Sequence, residues 1–237
     1  MTIWRLEWRS ALARRRLFLW NMAVPVLLLA PVALSAAAAP HRTAVFGVFF
    51  VFFATFGSAI PTVRDAHAGW LDTIFQSGYS RARWLVETVL AGATLDFVQL
   101  FPVVLVLVAA SGRAGARAIP SLIFALLLAL GFANLLGHLL AAAVRSLAEA
   151  ALACAATSLL LLHFAGFFRT PTTPWAKRAA EWAPYRPLRE GLAALQGASP
   201  SGPPDSLPAV LAASLGAVVL IVFVRRWTVK FEWPWVD

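Results

Sequence analysis

Four polar side chains stand inside long apolar runs of this 237-residue sequence, where they could do chemistry. Asp96 and Gln99 lie one helical turn apart in one run, and Asn134 and His138 lie one turn apart in another. A carboxylate at such a position either hydrogen-bonds to a neighbouring helix or lines a path for polar molecules. Both interpretations stay open for Asp96 and Gln99, whereas Asn134 and His138 favour hydrogen bonds between helices.

The sequence contains none of the common motifs of catalytic or phosphate-binding sites. No H-E-x-x-H pattern or carboxylate cluster predicts a metal site, and Cys154 is the only cysteine. The nearest pattern to that of a serine nucleophile, Gly78-Tyr79-Ser80, has only His67 as a near neighbour. Neither lysine lies in a G-x-x-x-x-G-K-[ST] phosphate-binding loop. We therefore predict no catalytic residues, no metal and no cofactor on this chain.

The composition requires a membrane environment for these residues. Hydrophobic residues make up 60% of the chain, charged residues 13%, and the mean hydropathy is +0.76. A soluble protein of this size would have too few polar side chains to cover its surface. The sequence therefore predicts an all-α polytopic membrane protein.

Six apolar runs are long enough to cross a bilayer as helices, which takes about 20 residues each. The predicted spans are Leu17–Leu34, Ala44–Val63, Trp84–Ala110, Ser121–Val144, Leu147–Phe168 and Leu207–Val224. The segments between them leave no room for a separate soluble domain, so residues 1–237 are predicted to form a single transmembrane domain. Six spans also place both termini on the same side of the membrane.

The basic residues indicate the orientation. With the N-terminus inside, twelve of the 20 Lys and Arg residues fall on inner segments and eight on outer ones, and five of the twelve precede the first span. This distribution favours both termini inside. The formal charge of +9 is spread over both surfaces, which argues against a nucleic-acid partner.

Amphipathic stretches lie before and between the apolar runs. Residues 1–16 place Trp4 and Trp8 at helical spacing among arginines, which predicts a helix at the membrane surface. Residues 64–83 form a cytosolic segment with a short helix over Gly69 to Gln76, ended by Gly78, and Ser80 then caps the next helix. About 20 residues is long for a simple connection, which predicts that another molecule docks there.

This segment resembles the cytosolic coupling region of ABC transporter permeases of the type-2 exporter class. That region has an Arg-acid pair, a Gly, a Leu-acid pair, two aliphatic residues, a turn and a Ser-Arg pair. The matching residues are Arg64-Asp65, Gly69, Leu71-Asp72, Ile74-Phe75, Ser77-Gly78 and Ser80-Arg81. The sequence departs from the family pattern at His67, Trp70, Gly78 and Glu87, where an acid, Thr, Pro and a nearby Lys are more common.

The resemblance extends to residues 169–206 on the outer side. In the family this connection carries spaced prolines, a Trp after a Pro, and a re-entrant or interfacial helix pair. The similar residues here are Pro171, Pro174, Trp175, Pro184 and Pro187. After the last of these prolines, Leu188, Leu192 and Leu195 form an apolar stripe at helical spacing.

The resemblance implies an export permease in the cell inner (plasma) membrane, working with a cytosolic ABC ATPase subunit that binds ATP and Mg. It also implies pairing with a second permease copy, with a homodimer expected over a heterodimer. The ATPase-docking residues would be Arg64, Asp65, Gly69, Trp70, Leu71, Asp72, Ile74, Phe75, Ser80 and Arg81. Trp70, Leu71, Ile74 and Phe75 would supply the buried contact area.

The cargo implied is hydrophobic or amphipathic: a drug, lipid, glycan precursor or peptide. Asp96 and Gln99 are candidates for the translocation path, and the outer prolines and Trp175 for an outer gate. The alternatives are a haem-exporter-like permease of cytochrome maturation, a membrane anchor or sensor without transport, and, least favoured, a membrane enzyme.

Overall fold

A computed structural model describes residues 2–115 and 118–197 of the chain. Over these residues it contains nine α-helices and no strand. Their bounds are α1 Ile3–Ala13, α2 Arg15–Leu34, α3 Ala39–His67, α4 Trp70–Gln76, α5 Arg81–Gly115, α6 Ile119–Ala143, α7 Leu147–Phe164, α8 Pro174–Glu181 and α9 Arg186–Leu195.

Five of these helices, α2, α3, α5, α6 and α7, are long and apolar enough to cross a membrane. They coincide with the first five predicted spans, which confirms the all-α class and the multi-pass membrane character. The sixth predicted span, Leu207–Val224, lies outside the described residues. The inside position of the termini and the single domain over residues 1–237 stay predictions.

The chain alternates between two ends of the helix bundle. One end carries α1, α4 and the turn between α6 and α7, and we call it the α4 end. The opposite end carries α8 and α9, and we call it the α9 end. Helix α3 is central, because it packs against α5, α6, α7 and α9, whereas α2 is mostly exposed at its apolar window.

The core lies between α3, α5 and α6 and is built from large apolar side chains and small ones that let the helices approach. Phe46, Phe50, Leu126 and Leu130 are almost fully buried there. The hydroxyl of Thr55 donates to the carbonyl of Val51, four residues earlier, at 2.8 Å. Such bonds within the helix satisfy hydroxyl groups that have no water to bind.

Close packing of α6 on α3 depends on Gly137. A Cβ atom at this position would collide with the Ser58 hydroxyl and the Thr55 carbonyl, and would lie 3.2 Å from the Ala59 nitrogen. Because two of these neighbours are backbone atoms, they cannot move aside by changing a rotamer. Any larger side chain at residue 137 would therefore push the helices apart.

Candidate functional site

The short helix α4 is held between two glycine turns. Gly69, which precedes it, has φ 70°, and Gly78, which follows it, has φ 85°, a region where other residues are strained. The Ser80 hydroxyl then accepts a hydrogen bond from the Arg83 backbone N–H at 3.3 Å, at the start of α5. These contacts confirm the predicted helix, its glycine end and the serine cap of the following helix.

One face of α4 packs on the protein's own helices. Leu71 is 5% exposed and lies in a cluster with Ile3, Trp84, Leu85 and Leu135. The Phe75 and Trp84 rings meet in a T-shaped contact, with 5.9 Å between centroids. Helix α4 is thereby fixed to α1, α5 and α6 at the end of the bundle.

This packing changes which side chains a docking partner could reach. The sequence predicted that Trp70, Leu71, Ile74 and Phe75 supply the contact area, but Leu71 is buried and Ile74 and Phe75 are half-buried within the chain. Of the four, Trp70 is 48% exposed. The apolar stripe of α4 packs on a surface of the same chain. The opposite face of α4, which carries Thr73 and Gln76, is therefore the accessible one.

The charged residues around α4 lie near the surface of the protein. Arg64 and Asp65 form an ion pair at 3.3 Å, with the arginine side chain 61% exposed, so this pair contributes little to stability. Asp72 is half-buried in the first turn of α4. The Arg81 guanidinium lies over the Phe75 ring, 5.5 Å from its centroid.

Glu87 joins α1 to the rest of the site, a role that sequence reasoning missed. Its Oε2 accepts a hydrogen bond from the Ile3 backbone N–H at 2.7 Å, and its Oε1 accepts one from Arg83 Nε at 2.8 Å. The carboxylate thus caps the first turn of α1, where helix N–H groups need acceptors. The spacing of Arg83 and Glu87, four residues apart, was the local signal in the sequence, but the second partner, Ile3, lies 84 residues away.

A cleft of about 350 Å³ runs inward from the α4 end, between α1, α2, α3, α4, α5 and α6. Along α5 its lining extends from Trp84 to Gln99, which is about 20 Å at 1.5 Å per residue. Its inner part contains buried polar side chains: Ser58, Thr62, Asp96, Gln99, Asn134 and His138. The four polar residues singled out from the sequence therefore lie on one cavity.

Two hydrogen bonds join helices along this cleft. Asn134 Nδ2 donates to Asp96 Oδ2 at 2.7 Å, which links α6 to α5. The Thr62 hydroxyl and His138 Nδ1 are 2.8 Å apart, which links α3 to α6. These contacts confirm the interhelical role predicted for Asn134 and His138, and they leave Asp96 both hydrogen-bonded and facing a cavity.

The Asp96–Asn134 contact requires a glycine opposite Asn134. A Cβ atom on Gly92 would overlap the Asn134 side-chain carboxamide. With glycine there, α5 leaves room for the amide to lie against it and reach Asp96 one turn further along.

Glu7 lies at the α4 end of the cleft, and burial raises its pKa above the ordinary value of 4.5, with a further contribution from the negative charge of Asp65. A raised carboxyl pKa means that the folded protein binds the proton more tightly than the unfolded chain does, so the contribution of Glu7 to stability is greatest below pH 4.5 and is lost as the pH rises through its folded-state pKa. Glu7→Gln should therefore raise the melting temperature at neutral pH, and the gain should vanish below pH 4.5.

Thermal unfolding of purified Glu7→Gln and wild-type protein at both pH values tests this expectation. Glu181→Gln, a change of the same kind on the exposed surface of α8, serves as the control and should have no effect. A lower melting temperature for Glu7→Gln at neutral pH would show that the ionised carboxylate stabilises the fold instead.

The outer segment of the sequence forms two helices at the α9 end. Pro174 and Pro187 lie in the first turns of α8 and α9, where proline is favoured, whereas Pro171 and Pro184 lie in the turns before these helices. Leu188, Leu192 and Leu195 are fully buried, which confirms the predicted apolar stripe, while Trp175 is 65% exposed. The depth of this pair relative to a membrane stays a prediction.

Within residues 2–115 and 118–197, no three His, Cys, Asp or Glu side chains are grouped so that they could hold a metal ion. Cys154 is a buried free thiol within this part of the chain. The packing of α4 and the polar cleft suit the site to two tasks. It can present a short rigid helix to another protein, and it can admit a molecule to a buried polar cleft.

Comparison with known proteins gives one finding that covers all nine described helices. The family model described as ABC-2 type transporter matches residues 1–196. No curated protein and no solved structure matches the chain.

Proposed function

Because this chain belongs to the ABC-2 type transporter family and is a membrane permease of that family, we propose that it couples ATP hydrolysis to export. The ATP and Mg would bind a separate cytosolic ATPase subunit. The cargo would be hydrophobic or amphipathic: a drug, lipid, glycan precursor or peptide. The membrane would be the cell inner (plasma) membrane.

The observation that carries this proposal is α4. It is a seven-residue helix between two left-handed glycine turns, with one face packed on α1, α5 and α6 and the other face accessible. A helix of this kind moves with the spans it is packed on, so force applied to its exposed face would tilt the bundle as a body. This is the mechanical connection that an ATPase on another chain needs.

Docking would use the accessible surface of residues 64–83. Trp70, Thr73 and Gln76 would provide contact area, and Arg64, Asp65, Asp72 and Arg81 would fix the register by charge complementarity. Gly69 and Ser80 would act by setting the turns on either side of α4. Leu71, Ile74 and Phe75 would transmit the movement inward, because they contact the other helices.

A second permease copy, in a homodimer, would complete the transporter. Large apolar side chains on α2 and α7 remain exposed in a single copy, among them Trp20, Leu27, Leu152 and Leu160. Lipid covers part of such surface and a second copy would cover the rest. Asp96 and Gln99 would lie on the translocation path, and Pro171, Pro174, Trp175, Pro184 and Pro187 would form the outer gate segment.

Purification of the chain in mild detergent, with its genomic neighbours co-expressed, tests the proposal. We expect an ATPase chain of about 25 to 35 kDa, the size of one or two ordinary domains, to co-purify in equal amount. Its ATP hydrolysis should rise when the permease is present. A stable permease with no associated ATPase and no ATP-dependent activity would favour the anchor or sensor alternative.

A further inference from the structure

The charged residues that line the cleft are acidic, whereas the protein as a whole has a net positive charge. The chain has 20 Lys and Arg against 11 Asp and Glu. The cleft lining nevertheless includes the carboxylates Glu7, Asp65 and Asp96, and no Lys or Arg is among the residues that line it in the described part of the chain. A recess lined by one sign of charge between apolar walls concentrates ions of the opposite sign.

The inner end of the cleft has unused hydrogen-bonding capacity. Asp96 is 8% exposed, and Asn134 occupies one of its two oxygens, Oδ2. The other oxygen, Oδ1, faces the cleft near Gly57, about 3.8 Å from where a Cβ of that glycine would lie. Gln99 is 7% exposed and lines the cleft, and its side chain makes no hydrogen bond to residues 2–115 and 118–197.

A metal ion does not fit this arrangement well. Calcium takes six to eight oxygen ligands and magnesium needs near-octahedral geometry, whereas Asp96 is a single carboxylate among neutral amides and hydroxyls. An organic cation has fewer requirements: one counter-charge, a few hydrogen-bond acceptors and an apolar wall for its carbon atoms. Phe53 and Leu95 provide that wall, and an aromatic ring also attracts a cation to its face.

We propose that the cleft binds a monovalent organic cation, with Asp96 as its counter-ion and Gln99 as a second polar contact. A volume of about 350 Å³ suits a small drug-like molecule. Glu7 and Asp65 at the α4 end attract the cation, and Asp96 holds it at the inner end. The ion pair offsets part of the cost of burying both charges. This inference rests on the proposed function, because it assigns the charge class of the cargo.

Equilibrium binding of radiolabelled 1-methyl-4-phenylpyridinium to the purified chain in detergent, without any ATPase, tests the proposal. Competitors of similar shape and different charge are 4-phenylpyridine, which is neutral near pH 7, and biphenyl-4-carboxylate. We expect the unlabelled cation to displace the label at least about tenfold better than the neutral compound, a difference of about 1.4 kcal/mol. The anion should not compete.

Asp96→Asn keeps the size of the side chain and an oxygen that can accept from Asn134, and it should weaken binding of the cation by about tenfold or more. Glu181→Gln, on α8 outside the cleft, should bind it as the wild type does. Size-exclusion profiles and melting temperatures establish that both variants fold. If Asp96→Asn does not fold, Glu7→Gln should still weaken binding measurably, and the competition on the wild type decides the charge class.

Equal displacement by the neutral compound would overturn the proposal, as would an unchanged affinity in folded Asp96→Asn. No binding of the cation by the wild type up to about 1 mM would also overturn it. None of these outcomes touches the ATPase partnership, which co-purification tests separately. Conversely, a missing ATPase would not remove cation binding to the isolated chain.

Discussion

Gly137→Ala should lower the stability of the protein sharply, by about 3 kcal/mol, at the upper end of the usual cost of overpacking a core. The added methyl group would meet the Ser58 hydroxyl, the Thr55 carbonyl oxygen and the Ala59 nitrogen on α3. Since two of these are backbone atoms of a buried helix, relief requires α6 to move away from α3. That movement would also separate His138, the next residue of α6, from Thr62, with which it is in contact.

The matched control is Gly131→Ala, in the same helix. A Cβ atom at Gly131 has nothing within 4 Å, so the substitution should be neutral or stabilise α6 by up to about 1 kcal/mol through helix propensity. Thermal unfolding of both variants in the same detergent measures the contrast. Similar melting temperatures for the two variants would contradict the close approach of α6 and α3.

The double variant Thr73→Arg and Gln76→Arg should no longer bind the ATPase but should still fold. Both side chains are exposed and lie three residues apart, on the accessible face of α4. Two bulky cations there would block a close-fitting partner surface and add charge at its centre. The variant should lose co-purifying ATPase and stimulated hydrolysis almost completely, while its melting temperature stays that of the wild type.

Two further variants separate docking from folding. Leu71→Ala removes a buried side chain and should cost about 2 to 5 kcal/mol, so it should lose the ATPase together with stability. Thr172→Arg adds a cation at an exposed position of the α9 end and should change neither property. Retention of stimulated hydrolysis in the Thr73 and Gln76 double variant would show that the ATPase binds elsewhere.

The sequence by itself determined the helices within residues 2–115 and 118–197 and where several of them end. Apolar runs gave five membrane-spanning helices close to their observed positions, because the length of a span is set by the bilayer and not by its neighbours. Gly69, Gly78 and Ser80 marked the ends of α4 and the start of α5, since turns and caps depend on residues within one helical turn. The stripe of Leu188, Leu192 and Leu195 was likewise a local property of α9.

Only the tertiary structure decided what those helices contact. An amphipathic pattern shows that α4 has an apolar face but does not show whether that face meets another protein or the same chain, and here it meets Trp84 and Leu135. The pairing of Glu87 with Ile3, and of Asp96 with Asn134, joins residues far apart in the chain. The cleft is a gap between six helices. Its shape depends on how these helices are arranged in space, which the local periodicity of the sequence does not encode.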